Sequence, residues 1–267
     1  MRIKSLAFIL ATALVTVGIG GCGDKPAPAP VSKVEAPAPK TETAAPASKV
    51  EASVSAPKVE TPTTAVQLVA GKDYQNLKTP QPVANEKTVE VLEFFWYGCP
   101  HCDHLQPALH EWLKRKPADV TFRRQPAAFQ DSWVQLARTY YAIDAIDATD
   151  KLHMEVFNAI HRTKVLNPAK LAKDQNPLFD WVATQGVDRK KFVEAYNSFG
   201  VATKSQRTID ITSAYDISGT PSLVIDGRYL TAPSMIPPKA NNTVDYELFF
   251  RTVDQLIAMA RKNRGGK

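Results

Sequence analysis

Residues 88–102 read Thr88-Val89-Glu90-Val91-Leu92-Glu93-Phe94-Phe95-Trp96-Tyr97-Gly98-Cys99-Pro100-His101-Cys102. The first eight are rich in β-branched and aromatic side chains and predict a buried strand. Two cysteines with two residues between them follow, and Leu105, Leu109, Trp112 and Leu113 then recur at helical spacing. The pair Cys99–Cys102 thus falls where a strand ends and a helix begins. Asp119 to Gln125 predicts the next strand.

From Phe129 to Asn197 the apolar period becomes helical. Trp133, Leu136, Ala137, Tyr140 and Tyr141 form one face, and Leu152, Val156, Phe157 and Ile160 another. Leu178–Val182 and Asp188–Phe199 predict two further helices. Strand character returns at Ser222–Ile225. Asp226-Gly227 predicts a hairpin turn, and Arg228–Leu230 should pair back. Asp245–Arg261 closes the chain as an amphipathic helix. This order of elements predicts an α/β fold interrupted by an all-helical insertion.

The chain has 267 residues, enough for one or two domains with a substantial core. Its net charge of +6 includes Arg2 and Lys4 near the N-terminus and shows no clustered basic tract, so nucleic acid is not an expected partner. Only three cysteines occur, Cys22, Cys99 and Cys102. A disulfide-stapled scaffold would need more of them, spread along the fold.

Residues 1–21 predict an export signal: a charged start, then an apolar stretch from Leu6 to Ile19. At about 14 residues that stretch is shorter than the ~20 needed to cross a bilayer. Ile19-Gly20-Gly21-Cys22 resembles a bacterial lipoprotein cleavage box, which implies lipidation of Cys22 and accounts for the odd cysteine. An ordinary secretory signal with an incidental Cys22 is the alternative. Residues 22–65 are rich in Pro, Ala, Lys and Glu and carry a ragged repeat: Ser32–Ala36, Ser48–Ala52 and Pro57–Glu60. Such a segment buries too little apolar area to offset its ordering entropy and reads as a disordered tether. Its reach is about 40 Å as a coil and at most ~130 Å extended. A cell-wall-binding segment is the structural alternative. Ordered sequence begins near Val66, giving expected segments at 66–128, 129–200 for the insertion, and 201–267.

At this point a resemblance becomes specific. Leu92–Phe95 before Cys99-Pro100-His101-Cys102, then Ala195-Tyr196-Asn197-Ser198-Phe199, then Gly219-Thr220-Pro221 are similar to the DsbA family of bacterial thiol–disulfide interchange proteins. The resemblance implies a thioredoxin fold split by a helical domain. It makes Cys99 the exposed attacking sulfur and Cys102 the recessed one. It implies a cis Pro221 facing the dithiol, with the Thr220 backbone free to pair with extended substrate. It also makes Glu93 a buried acid that manages protons for the recessed cysteine, with Arg124 as its basic partner. The competing reading of Glu93 is a strand-edge carboxylate in solvent. Apolar surface around Trp96 and Tyr97 is the expected peptide-binding feature.

The chemistry fits the residues. Exchange needs a thiolate, and the better-stabilised thiolate is the better leaving group. Bringing Cys99 from about 8.5 to around 4.5 takes roughly 5 kcal/mol. A helix N-terminus supplies at most ~2 kcal/mol. The rest must come from hydrogen bonds, for which the backbone and ring of His101 and the N–H of Cys102 are placed; Pro100 suits a first helical turn.

No cofactor is needed, because the two sulfurs carry the electrons. The expected partners are reduced, unfolded exported proteins and a DsbB-like membrane quinone reductase that reoxidises the pair. The expected setting is the periplasm, with a monomer tethered to the inner membrane rather than the outer. Two alternatives remain open. Thr220 resembles the residue of disulfide isomerases and reductases. Cys99, Cys102, His104 and His110 also offer the sulfur and imidazole ligands of a metal-binding lipoprotein.

Overall fold

Strand β2 (Val89–Phe95) is the centre of the molecule, and all seven of its residues are buried. The computed structural model describes residues 67–265. The predicted leader, the lipidation site Cys22 and the tether of residues 22–65 lie outside the described residues.

A short strand β1 (Gln75–Asn76) precedes β2, and helix α1 (Pro100–Arg115) and strand β3 (Val120–Pro126) follow it. β2 and β3 pair in parallel, with Glu93 opposite Arg124. Strands β4 (Ser222–Ile225) and β5 (Tyr229–Thr231) form the late hairpin. The sheet order is β1-β5-β4-β2-β3, with β4 antiparallel to both β2 and β5. Asp226 and Gly227 both have positive φ, at 57° and 61°, as the central residues of the hairpin turn closed by Arg228 N–H to Ile225 O at 3.0 Å. A Cβ on Gly227 would lie 2.1 Å from the Gln81 carbonyl oxygen, so glycine is needed there for space as well.

Alternation along β2 builds two layers. Val89 and Val91 face α1 and the C-terminal helix α9 (Tyr246–Gly265), packing with Leu105, Leu109, Trp112 and Phe249. Leu92 and Phe94 face the other way, against Tyr215, Ile217 and Val224. Each fully buried side chain of this size contributes roughly 1.5–3 kcal/mol. Trp112 anchors α1 to α9 by donating its indole N–H to Asp254 at 2.8 Å.

The insertion comprises α2 (Asp131–Asp144), α3 (Thr149–Phe157), a π-helical turn (Asn158–Arg162), α4 (Pro168–Leu171), α5 (Asn176–Thr184) and α6 (Arg189–Asn197). Its core extends to Phe95, Tyr97, Cys99 and Cys102. The fold is therefore a thioredoxin-type sheet with a helical insertion. Helical structure continues past residue 200, through α7 (Phe199–Gln206) and α8 (Thr208–Ala214). Hydroxyl side chains mask that helicity in the sequence, because they favour turns unless they bond back to the preceding turn. Here they do: Ser205 donates to Val201 O at 2.6 Å and Thr212 to Thr208 O at 2.7 Å.

Candidate active site

Cys99 is the N-cap of α1 and Pro100 its first helical residue. The backbone N–H groups that open a helix have no partner within it, so this end favours an anion. Cys99 keeps 9% of its surface exposed, whereas Cys102, one turn on, has none. Both thiols are free. In the thiol form Cys99 donates to the Thr220 carbonyl at 3.3 Å. The Thr220–Pro221 peptide is cis, and Cys99 and Thr220 meet although they lie 121 positions apart.

The two thiols have opposite acidities. Cys99 is lowered from 9.0 to about 5, chiefly by its hydrogen bond with the Cys102 thiol. Burial opposes this, while the Thr220 side chain and the N–H groups of Cys102 and His101 add to it. The contribution of His101 is that of its backbone; its ring sits edge-on to His104, with centroids 6.4 Å apart. Cys102 is raised well above 9.0 by burial and then by Cys99. One sulfur of the pair is therefore a stabilised thiolate and the other a thiol.

Glu93 is fully buried, so the solvent-exposed reading of this residue is excluded. Its Oε2 accepts from Arg124 Nε at 3.1 Å and its Oε1 from Gln106 Nε2 at 2.8 Å. Burial raises its pKa above 4.5 even so, against the opposing pull of Arg124 and Gln106. Gln106 also donates to the Cys102 carbonyl at 3.3 Å, joining the buried acid to the redox helix. The sequence reading missed Gln106. Its signal was a polar residue four positions after Cys102, on the same face as Leu105 and Leu109.

The expected apolar surface around Trp96 and Tyr97 needs correction. Tyr97 is 1% exposed, with its hydroxyl 3.0 Å from His153 Nδ1. Trp96 stacks on Trp133 at 3.8 Å and folds over Gly98. The groove beside the dithiol is built instead by His101, Thr220, Pro221, Leu230, Met235 and Tyr246, around a cavity of about 280 Å³. Loop 96–98 is thus shaped by aromatic packing, and the groove by the cis-proline loop and the segment before α9.

The residues of the metal alternative do not converge. His104 and His110 are exposed while Cys102 is buried. Among the described residues, no three His, Cys, Asp or Glu side chains are grouped to hold an ion.

A thioredoxin-type sheet whose helix-capping dithiol faces a cis-proline defines a thiol–disulfide oxidoreductase. The comparisons agree. Residues 90–241 match the family model for the DSBA-like thioredoxin domain, and the chain belongs to that family. It is 41% identical to the thiol:disulfide interchange protein DsbA of Burkholderia cepacia over 168 residues, 62% of this chain and 76% of that one. It is 38% identical to the Bordetella parapertussis protein of that name over 198 residues, 74% and 89% of the two chains. The crystal structure of Pseudomonas aeruginosa DsbA superposes with a TM-score of 0.65 at 31% identity, covering 73% of this chain and 96% of that one.

Proposed function

We propose that this oxidoreductase donates the Cys99–Cys102 disulfide to reduced exported proteins, with Cys99 as the sulfur that is attacked. In this reading a substrate thiolate attacks Sγ of Cys99. The Cys99–Cys102 bond breaks, and Cys102 leaves with the electron pair and takes up a proton. A second substrate thiolate then attacks the substrate sulfur of the mixed disulfide and expels Cys99 as a thiolate. Two electrons pass to the protein and a disulfide forms in the substrate. Reoxidation by a DsbB-like membrane quinone reductase returns the electrons.

The observation that carries the reading is the asymmetry of the pair: Cys99 caps α1 beside the Thr220 carbonyl, where its pKa is lowered to about 5, while Cys102 is fully buried and held well above 9.0. A stabilised Cys99 thiolate favours the reduced dithiol, which makes the disulfide an oxidant. Glu93 is the group positioned to exchange the proton of Cys102 as it leaves, with Arg124 and Gln106 holding it in place. Thr220 and Pro221 offer backbone and apolar contact to an extended peptide, and the half-buried Trp96 shapes the loop beside them.

The setting is the periplasm, with Cys22 lipidated and residues 22–65 acting as a tether. Support for the tether is the Ile19-Gly20-Gly21-Cys22 box and the composition that follows it. No helix among the described residues is long and apolar enough to cross a membrane.

The test is oxidative refolding of a reduced, unfolded disulfide-containing protein. The oxidised chain restores its activity, and Cys99→Ser abolishes the effect; Cys102→Ser, first charged at Cys99 with glutathione disulfide, exchanges its glutathione for the substrate thiol and accumulates a mixed disulfide through Cys99. Retained oxidation by Cys99→Ser would sink the assignment. For the tether, Cys22→Ala should move the full chain from the membrane to the soluble fraction; an unchanged distribution argues against lipidation.

A further inference from the structure

The helical insertion grips the dithiol through one unusual turn. After α3 the chain widens into the π-helical turn Asn158–Arg162, closed by Thr163 N–H to Asn158 O at 2.9 Å. Such a turn inserts a residue into the helical register and re-aims the side chains that follow it. Here it brings neighbouring residues onto both arms of the redox site. His161 Nε2 lies 2.7 Å from the Tyr97 carbonyl, two residues before Cys99. A carbonyl only accepts, so Nε2 carries the proton and donates. The imidazole is stacked on Phe157, which fixes its plane. Arg162 Nη2 donates to Asp103 Oδ1 at 2.9 Å. Asp103 directly follows Cys102, and its side chain is only 6% exposed.

We propose that His161 and Arg162 are positioning residues for disulfide exchange, acting through Tyr97 and Asp103 to hold the Cys99 sulfur against the opening turn of α1. The proposal deepens the assignment of Cys99 and rests on it. The helix end favours an anion only over its first turn. Asp103 sits in that turn, and an unpaired carboxylate there repels a thiolate; the Arg162 guanidinium cancels the charge. His161 acts on geometry. The Tyr97 peptide it holds leads into the turn in which Cys99 N–H bonds Trp96 O at 2.9 Å. Loosening that turn tilts the sulfur off the N–H directions, and hydrogen bonds weaken steeply with angle.

The test is to titrate the Cys99 thiolate of the reduced full chain by its ultraviolet absorbance, and to measure its redox equilibrium with glutathione. Arg162→Met and His161→Ala should each raise the Cys99 midpoint by about half to one unit. The oxidising equilibrium constant should fall about threefold to tenfold. His161→Gln, whose amide N–H can reach the same carbonyl, should restore both values. Variants that lose only thermal stability, with midpoint and equilibrium constant unmoved, overturn the proposal. Should His161→Ala not fold, Arg162→Met still tests the Asp103 arm, since the Arg162 side chain is half exposed. An unsubstituted chain with no lowered midpoint overturns the reading of Cys99 and this proposal together, whereas a lowered midpoint in the unsubstituted chain with unmoved variants overturns this proposal alone.

Discussion

Gln106 stands between Glu93 and Cys102, its amide donating to the Glu93 carboxylate at 2.8 Å and to the Cys102 carbonyl at 3.3 Å. The buried acid of β2 and the recessed cysteine of α1 are thereby held in one hydrogen-bonded unit. A buried acceptor left without its donor costs about 1–3 kcal/mol. Gln106→Leu should lower unfolding stability by that amount, measured by urea denaturation of the reduced protein. An unchanged midpoint would show that Glu93 finds another donor.

Glu93 should make stability pH-dependent. Its pKa is raised above 4.5 by burial, so the fold favours the protonated acid. The stability this contributes is full below 4.5 and is lost as pH rises through the raised value. Glu93→Gln stays neutral throughout. The stability difference should therefore move in the variant's favour with rising pH. Its pH profile of exchange should also flatten over the same window. Parallel stability curves for the two proteins would refute a titrating Glu93.

Cys99 gives the opposite sign, and only in the reduced protein. Its pKa is lowered from 9.0 to about 5, so the thiolate's contribution to folding is full above 9.0 and is lost as pH falls through about 5. The oxidised protein has no thiolate to titrate. The stability advantage of the reduced over the oxidised form should therefore shrink between pH 9 and 5, by about 2–4 kcal/mol once solvent screening at the exposed edge of Cys99 is discounted. Paired denaturation curves across that range measure it directly.

Gly98 is set by Trp96. A Cβ there would lie 2.3 Å from the Trp96 ring, which is itself stacked on Trp133. Gly98→Ala should push Trp96 off Trp133, cost about 1–3 kcal/mol as overpacking does, and change tryptophan fluorescence. A variant with unaltered fluorescence and melting temperature would mean that the loop yields instead of the stack.

Much of this was legible in local pattern. The Val89–Phe95 strand, the junction at Cys99 and the Asp226-Gly227 hairpin follow from residue type and period, because burial and turn chemistry act over a few positions. The helical run to Ala214 is hidden by Ser205, Thr208 and Thr212, whose preference for turns is overridden by bonds back to the preceding turn. Tyr97 reads as surface in the sequence because a loop aromatic beside a reactive site looks like a contact residue. Its burial depends on α3 and the π-helical turn, some 60 residues away. His161 and Arg162 were unreadable for the same reason: their partners are fixed by tertiary packing, and a π-helical turn has no short signature. Glu93 and Arg124 became a pair through the register of β2 and β3, which a family resemblance suggested and local pattern did not.

Cys99 alone should be the reactive thiolate at neutral pH. The most direct test is the pH dependence of alkylation of the reduced protein by iodoacetamide, with the modified cysteine identified by peptide mass. Modification should fall on Cys99, half-maximal near pH 5, with Cys102 protected throughout. Half-maximal modification near pH 8 to 9, or modification at Cys102 first, would contradict it.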